Sequence, residues 1–112
     1  MLNDIIGVLE DIQAQDIVIY DMRELSPFYE YSIICSGKTD RQTNAIYERL
    51  SQYASNNELN IKVEGKDSAR WILVDLGSII VNVFVPDERD YFKLEKLWMG
   101  VPQIQVDDVR NV

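Results

Sequence analysis

The run WILVDLGSIIVNVF, residues 71–84, constrains this chain more than any other feature. Two apolar segments rich in β-branched residues flank Gly77–Ser78, a pair suited to a two-residue hairpin turn. That turn sets the pairing: Leu76 against Ile79, Val74 against Val81, Ile72 against Val83. Side chains alternate across a strand, so these six aliphatics share one face, and that face must be core. The same register sets Asp75 against Ile80, Leu73 against Asn82 and Trp71 against Phe84. A slip of one residue would break every one of these pairs. The mixed face admits two readings. Either a C-terminal helix lies over it, with Tyr91 and Trp98 packing on Trp71, or it is a surface that meets a partner, with aromatic anchors beside a few polar groups.

The rest of the chain supplies elements to pack around this hairpin. Leu2, Ile5, Ile6, Leu9 and Ile12 recur at helical spacing. A short strand is expected from about Ile17 to Asp21, and a loop over RELSPFYE, where Pro27 opposes regular structure. YSIICSG reads as a strand ended by Gly37. A long helix follows, opened by a capping box of Thr39 and Gln42 and buried along Ile46, Leu50 and Tyr53. A strand is expected around Ile61 to Glu64. After the hairpin, Pro86 ends the strand, Asp87 is the expected N-cap, and Tyr91, Leu94 and Trp98 line one side of a short helix. The expected fold class is therefore α/β (α+β): one mixed sheet of about five strands with flanking helices. Residues 1–98 form a single domain in this reading, and 99–112 a weakly ordered tail.

Several chemistries are excluded or weakened by what the chain contains. It has no histidine, which removes His-based acid–base catalysis and His-activated nucleophiles. One cysteine, Cys35, rules out an intrachain disulfide, and with no histidine it leaves little for zinc. SGKT, Ser36 to Thr39, looks like the end of a phosphate-binding loop, but Ser32 stands where that motif needs its first glycine. Asp75, at a strand end, is the best single carboxylate for a metal, yet position 73 on the same face is Leu. Trp71 and Phe84 suit base stacking, but Lys62, Lys66 and Arg70 nearby are offset by Glu64, Asp67 and Asp75. A net charge of −8 disfavours phosphate backbones. It fits a basic protein partner, or simply solubility. The opening residues lack the basic start of a signal peptide, and no apolar run approaches the roughly 20 residues of a membrane span, so a cytoplasmic protein is expected.

VEGKDSARWILVDLGSIIVNVF, followed by RDYFKLEKLW, resembles the ribosome silencing factor family, RsfS, also called the Iojap-related proteins. The resemblance extends to DIQAQDIVIYDM and IICSGKTDRQ, and so covers residues 8 to 98. It implies a mixed-sheet fold distantly like nucleotidyltransferases but without known catalysis, cofactor or metal. It also implies binding to the large ribosomal subunit at large-subunit ribosomal protein fourteen. Bound there, the protein's bulk would block joining of the small subunit and repress translation; a part in large-subunit biogenesis and a homodimeric free form are further implications. Trp71 matches the family tryptophan after the Ser68-Ala69 pair, and Asp75 its strand-end aspartate. Tyr91 and Phe92 fall at the paired positions before Leu-Glu-x-Leu-Trp. Asn82 replaces the histidine common on the last strand, which keeps a hydrogen-bonding side chain but no proton charge, and Glu30 replaces a usual Asp. The expected contact set is Trp71 as anchor, Leu73 and Phe84 as apolar surround, Asp75 as charge partner, and Ile80, Asn82 and Tyr91 beside them. The alternative is a nucleotidyltransferase-like enzyme built on Asp75 and the SGKT helix start.

Overall fold

The hairpin forms in the expected register. Strands β4 (Trp71–Asp75) and β5 (Ile79–Phe84) pair antiparallel from Trp71 opposite Phe84 to Asp75 opposite Ile80. Leu76 N–H donates to the Ile79 carbonyl at 2.9 Å, and Gly77 takes φ +101°, the positive value such a turn asks of its first residue. The computed structural model describes residues 1–111, the side chains of residues 110 and 111 excepted.

Around the hairpin, β2 (Tyr31–Ser36) lies parallel to β5, and every one of its residues is buried, as befits a central strand. Strand β1 (Gln15–Asp21) runs antiparallel on its far side, and β3 (Lys62–Glu64) edges β4. The mixed sheet has six strands in the order β3-β4-β5-β2-β1-β6, where about five were expected. The sixth, β6 (Gln103–Ile104), comes from the segment read as a tail and pairs with β1 at Ile19 and Tyr20. A two-residue strand carries no periodicity to read, so only the pairing reveals it. A 3-10 turn over Val106–Asn111 follows, and its Val109 is buried in the main core.

Helices α1 (Leu2–Asp11) and α2 (Asp40–Asn56) cover the aliphatic face of the sheet. α1 buries Leu2, Ile5, Ile6 and Leu9; α2 buries Thr43, Ile46, Leu50 and Ala54. Tyr53, expected in the buried stripe, is only partly covered, and its hydroxyl donates to Asp4 at 3.2 Å. Thr39 caps α2 by accepting from Gln42 N–H at 3.1 Å. The Gln42 amide then accepts from Lys38 N–H and donates to the Ile12 and Gln13 carbonyls, tying the end of α1 to the start of α2. Cys35 is fully buried on this face, and burial pushes its thiol up to about 12.

The expected single helix after β5 is two. Helix α3 (Pro86–Phe92) is capped by Val85, not Asp87, with Pro86 at its first position, where a missing N–H costs nothing. Lys93 then adopts φ +51°, a left-handed conformation, and α4 (Leu94–Leu97) starts in a new direction. The break turns Phe92, rather than Tyr91, onto Trp71, and it delivers Trp98 to Tyr20. Arg89 fastens α3 to the sheet by donating to Ser36 Oγ of β2 at 2.8 Å, and to α4 by donating to Glu95 at 2.9 Å.

Candidate functional site

The mixed face of the hairpin continues across the sheet. Trp71, Leu73 and Asp75 come from β4, Ile80, Asn82 and Phe84 from β5, and Ser32 and Ile34 from β2. The α3–α4 pair covers one end of this face and seals a small second core of Tyr20, Ile34 and Phe84. Beyond that cover the sheet opens into a groove of about 260 Å³. Trp71, Leu73, Ile80, Asn82 and Ser32 supply its sheet side, and Met22, Tyr29, Leu94 and Trp98 complete the lining.

Trp71 is held on three sides. Its ring stacks on Phe84 with centroids 4.8 Å apart and leans on Phe92 at 4.7 Å. Its Nε1–H donates to Asn82 Oδ1 at 2.8 Å. Indole nitrogen only donates, so this bond also fixes which way the Asn82 amide faces. The indole's polar atom is thereby satisfied internally, and what the ring offers to the groove is apolar. A side chain held in advance loses little rotamer freedom on binding, which favours affinity. Asn82 itself is 3% exposed and acts as the acceptor that orients Trp71.

Asp75 closes one end of the groove region. Its Oδ2 accepts from the Tyr29 hydroxyl at 2.9 Å and its Oδ1 from Gly77 N–H at 2.9 Å. The carboxylate raises the Tyr29 hydroxyl above the usual tyrosine range, first by that hydrogen bond and then, after burial, by its charge. Lys62 stands opposite Asp75 in the β3–β4 register. An adjoining depression of about 320 Å³, lined by Phe28, Asn60, Lys62, Asp75 and Gly77, shares Tyr29 with the groove.

Of the residues expected to make contact, Trp71, Leu73, Ile80 and Asn82 line the groove together, and Asp75 borders it. Phe84 is 1% exposed and lies beneath Trp71 as its support. Tyr91 is 80% exposed, outside the groove lining, and touches only the edge of Phe92 among aromatic rings, at 5.1 Å. Met22, Tyr29 and Ser32 were missed, since they arrive from the end of β1, the loop after it and β2, far away in sequence. Alternation along YSIICS places Ser32 on the face of Ile34, but nothing local says that this face is the open one. At the SGKT helix start two donors are taken by its own side chains: Lys38 N–H goes to Gln42 and Gln42 N–H to Thr39. Among the described residues no three His, Cys, Asp or Glu side chains converge to hold a metal ion, and no helix is long and apolar enough to cross a membrane.

The whole sequence, residues 1–112, matches the family model described as RsfS, ribosomal silencing factor during starvation. The chain belongs to the ribosomal silencing factor family. Within that family, it is 43% identical to the ribosomal silencing factor RsfS of Bacillus subtilis (strain 168) over 99 residues, 88% of this chain and 84% of that protein. The fold agrees with a crystal structure of a Bacillus halodurans protein, with a TM-score of 0.80 and 35% identity over 90% of this chain and 92% of that one. A more distant relative, 29% identical over 84% of this chain but only 43% of its own length, is the mouse protein named mitochondrial assembly of ribosomal large subunit protein 1.

Proposed function

We propose that the chain is a translation repressor that docks through this groove on the large ribosomal subunit, at large-subunit ribosomal protein fourteen, and keeps the small subunit from joining. The observation that carries this reading is the groove: an apolar, half-covered sheet face centred on a tryptophan held by Phe84, Phe92 and Asn82. Buried aromatic anchors of this kind carry most of the energy of protein interfaces. The name of the Bacillus subtilis relative supports silencing of ribosomes, and that of the mouse relative supports the large subunit as the place of action and a part in its assembly. A net charge of −8 suits a basic protein surface and speeds encounter with it. Docking of a body measuring 33 × 33 × 25 Å at the joining surface acts by exclusion and needs no bond-making chemistry. The reading places the protein in the cytoplasm, as a homodimer when free, with little direct contact to nucleic acid.

The alternative, an enzyme built on Asp75, has a single carboxylate that already accepts from Tyr29 and Gly77. Light scattering of purified subunits mixed with and without the protein tests the proposal. Wild type lowers the yield of joined ribosomes as its concentration rises, and Trp71→Ala needs about thirtyfold more protein for the same effect, equivalent to about 2 kcal/mol. Unchanged joining at saturating wild-type protein contradicts it.

A further inference from the structure

We propose that Ser32 and Asn82 form a carbonyl-binding subsite in the groove floor, filled by a main-chain carbonyl oxygen of the docked protein. This rests on the docking reading above and names the chemistry of the partner at one point. Ser32 is 1% exposed and lines the groove, and its Oγ has no hydrogen-bond partner among the described residues. Buried hydroxyls nearly always find a partner, and an orphan one lowers the stability of the chain that carries it. The β2–β5 register sets Ser32 beside Ile80, with Asn82 the next residue along β5 on the same face. Because Asn82 Oδ1 accepts from the Trp71 indole, its Nδ2 points the other way and remains a donor.

A hydroxyl and an amide N–H on one groove floor match an oxygen with two lone pairs. A carboxylate oxygen is disfavoured there. The chain already carries a net charge of −8, and burying another negative charge among Leu73, Ile80 and Leu94 is costly. A peptide carbonyl is neutral and occurs at every residue of a partner, and an aliphatic side chain next to it fills the apolar walls. The excess of negative charge selects a basic polypeptide as the source. The hydroxyl lies beneath the groove surface, so the occupant reaches it by parting the lining side chains. Met22, unbranched and half-buried, is the most adaptable of these.

The subsite predicts one substitution that weakens binding without lowering stability. Full-length wild type and Ser32→Ala are titrated onto purified large subunits, and onto protein-free ribosomal RNA, and the Tm of each free protein is measured. The expected result is about tenfold weaker binding of Ser32→Ala to large subunits, with a Tm equal to or above that of wild type. Ser32→Cys, a weaker donor of similar shape, falls between the two. Equal affinity of wild type and Ser32→Ala overturns the subsite and leaves the docking reading standing, whereas no wild-type binding overturns both. A lower Tm in Ser32→Ala means that the hydroxyl has an internal partner and overturns the subsite. An effect seen on bare RNA overturns the polypeptide as its occupant.

Discussion

Asn82 determines how Trp71 is presented, because its carbonyl oxygen is the acceptor for the indole N–H. Removing it in Asn82→Ala leaves a part-buried donor unpaired. The expected cost is about 1 kcal/mol or more of folding stability, read by urea denaturation. The ring also loses its fixed orientation, so binding to large subunits weakens even under conditions where the variant is folded. Cys35 gives a pH-dependent prediction. Its folded thiol titrates at about 12, above its ordinary value near 9. The unfolded chain therefore ionises first as pH rises. The contribution of the buried thiol is complete below about 9 and is lost as pH climbs toward 12, with a slope of about 1.4 kcal/mol per pH unit for one proton. Denaturant titrations between those values check this against Cys35→Ala, which lacks this thiol's share of the slope. At this scale the pairs across the hairpin were legible because one turn fixes them all. Tyr91 was not, because the left-handed Lys93 that turns Phe92 inward leaves no mark in a residue-by-residue reading.

The loop that leads into β4 depends on contacts with α2. Ala69 is buried at φ +60°, and its carbonyl accepts the Thr43 hydroxyl from α2. Gly65 sits at φ +85°, where an added Cβ would meet the Trp71 carbonyl oxygen at 2.0 Å. These contacts place Trp71 at the start of its strand. Gly65→Ala combines a positive φ with a clash against backbone, and is expected to cost about 3 kcal/mol or to shift the loop. Urea denaturation measures the first outcome and a change in Trp fluorescence the second. Thr43→Val leaves the Ala69 carbonyl without that donor and costs about 1–3 kcal/mol. Helices α1 and α2 and the central strands were legible as elements because each repeats its period several times. The helix after Pro86 was legible, but the break that starts α4 and the strand β6 were not: four residues and two residues are too short to show a period, and their conformations are imposed by packing on Tyr20 and β1.

For the whole molecule, the aliphatic face of the sheet is spent on α1 and α2, and the opposite face is only partly covered by α3 and α4. This asymmetry leaves an apolar groove on that face, and the net charge of −8 biases what approaches it. Association with a basic partner should therefore slow as salt rises. Stopped-flow mixing with the purified basic ribosomal protein, free of RNA, is expected to show an association rate constant falling about tenfold between low and high ionic strength, with the dissociation rate little changed. That one face is core was readable from the hairpin alone. That the other face stays half open depends on where α3 breaks, which only the packed molecule shows. The most direct test of the docking groove is the affinity for purified large subunits of wild type and of Leu73→Lys, which puts a positive charge into the apolar wall while leaving Phe84, Phe92 and Asn82 themselves unchanged. The account predicts at least about thirtyfold weaker binding by a variant that remains folded. Equal affinity of the folded variant and wild type would contradict it.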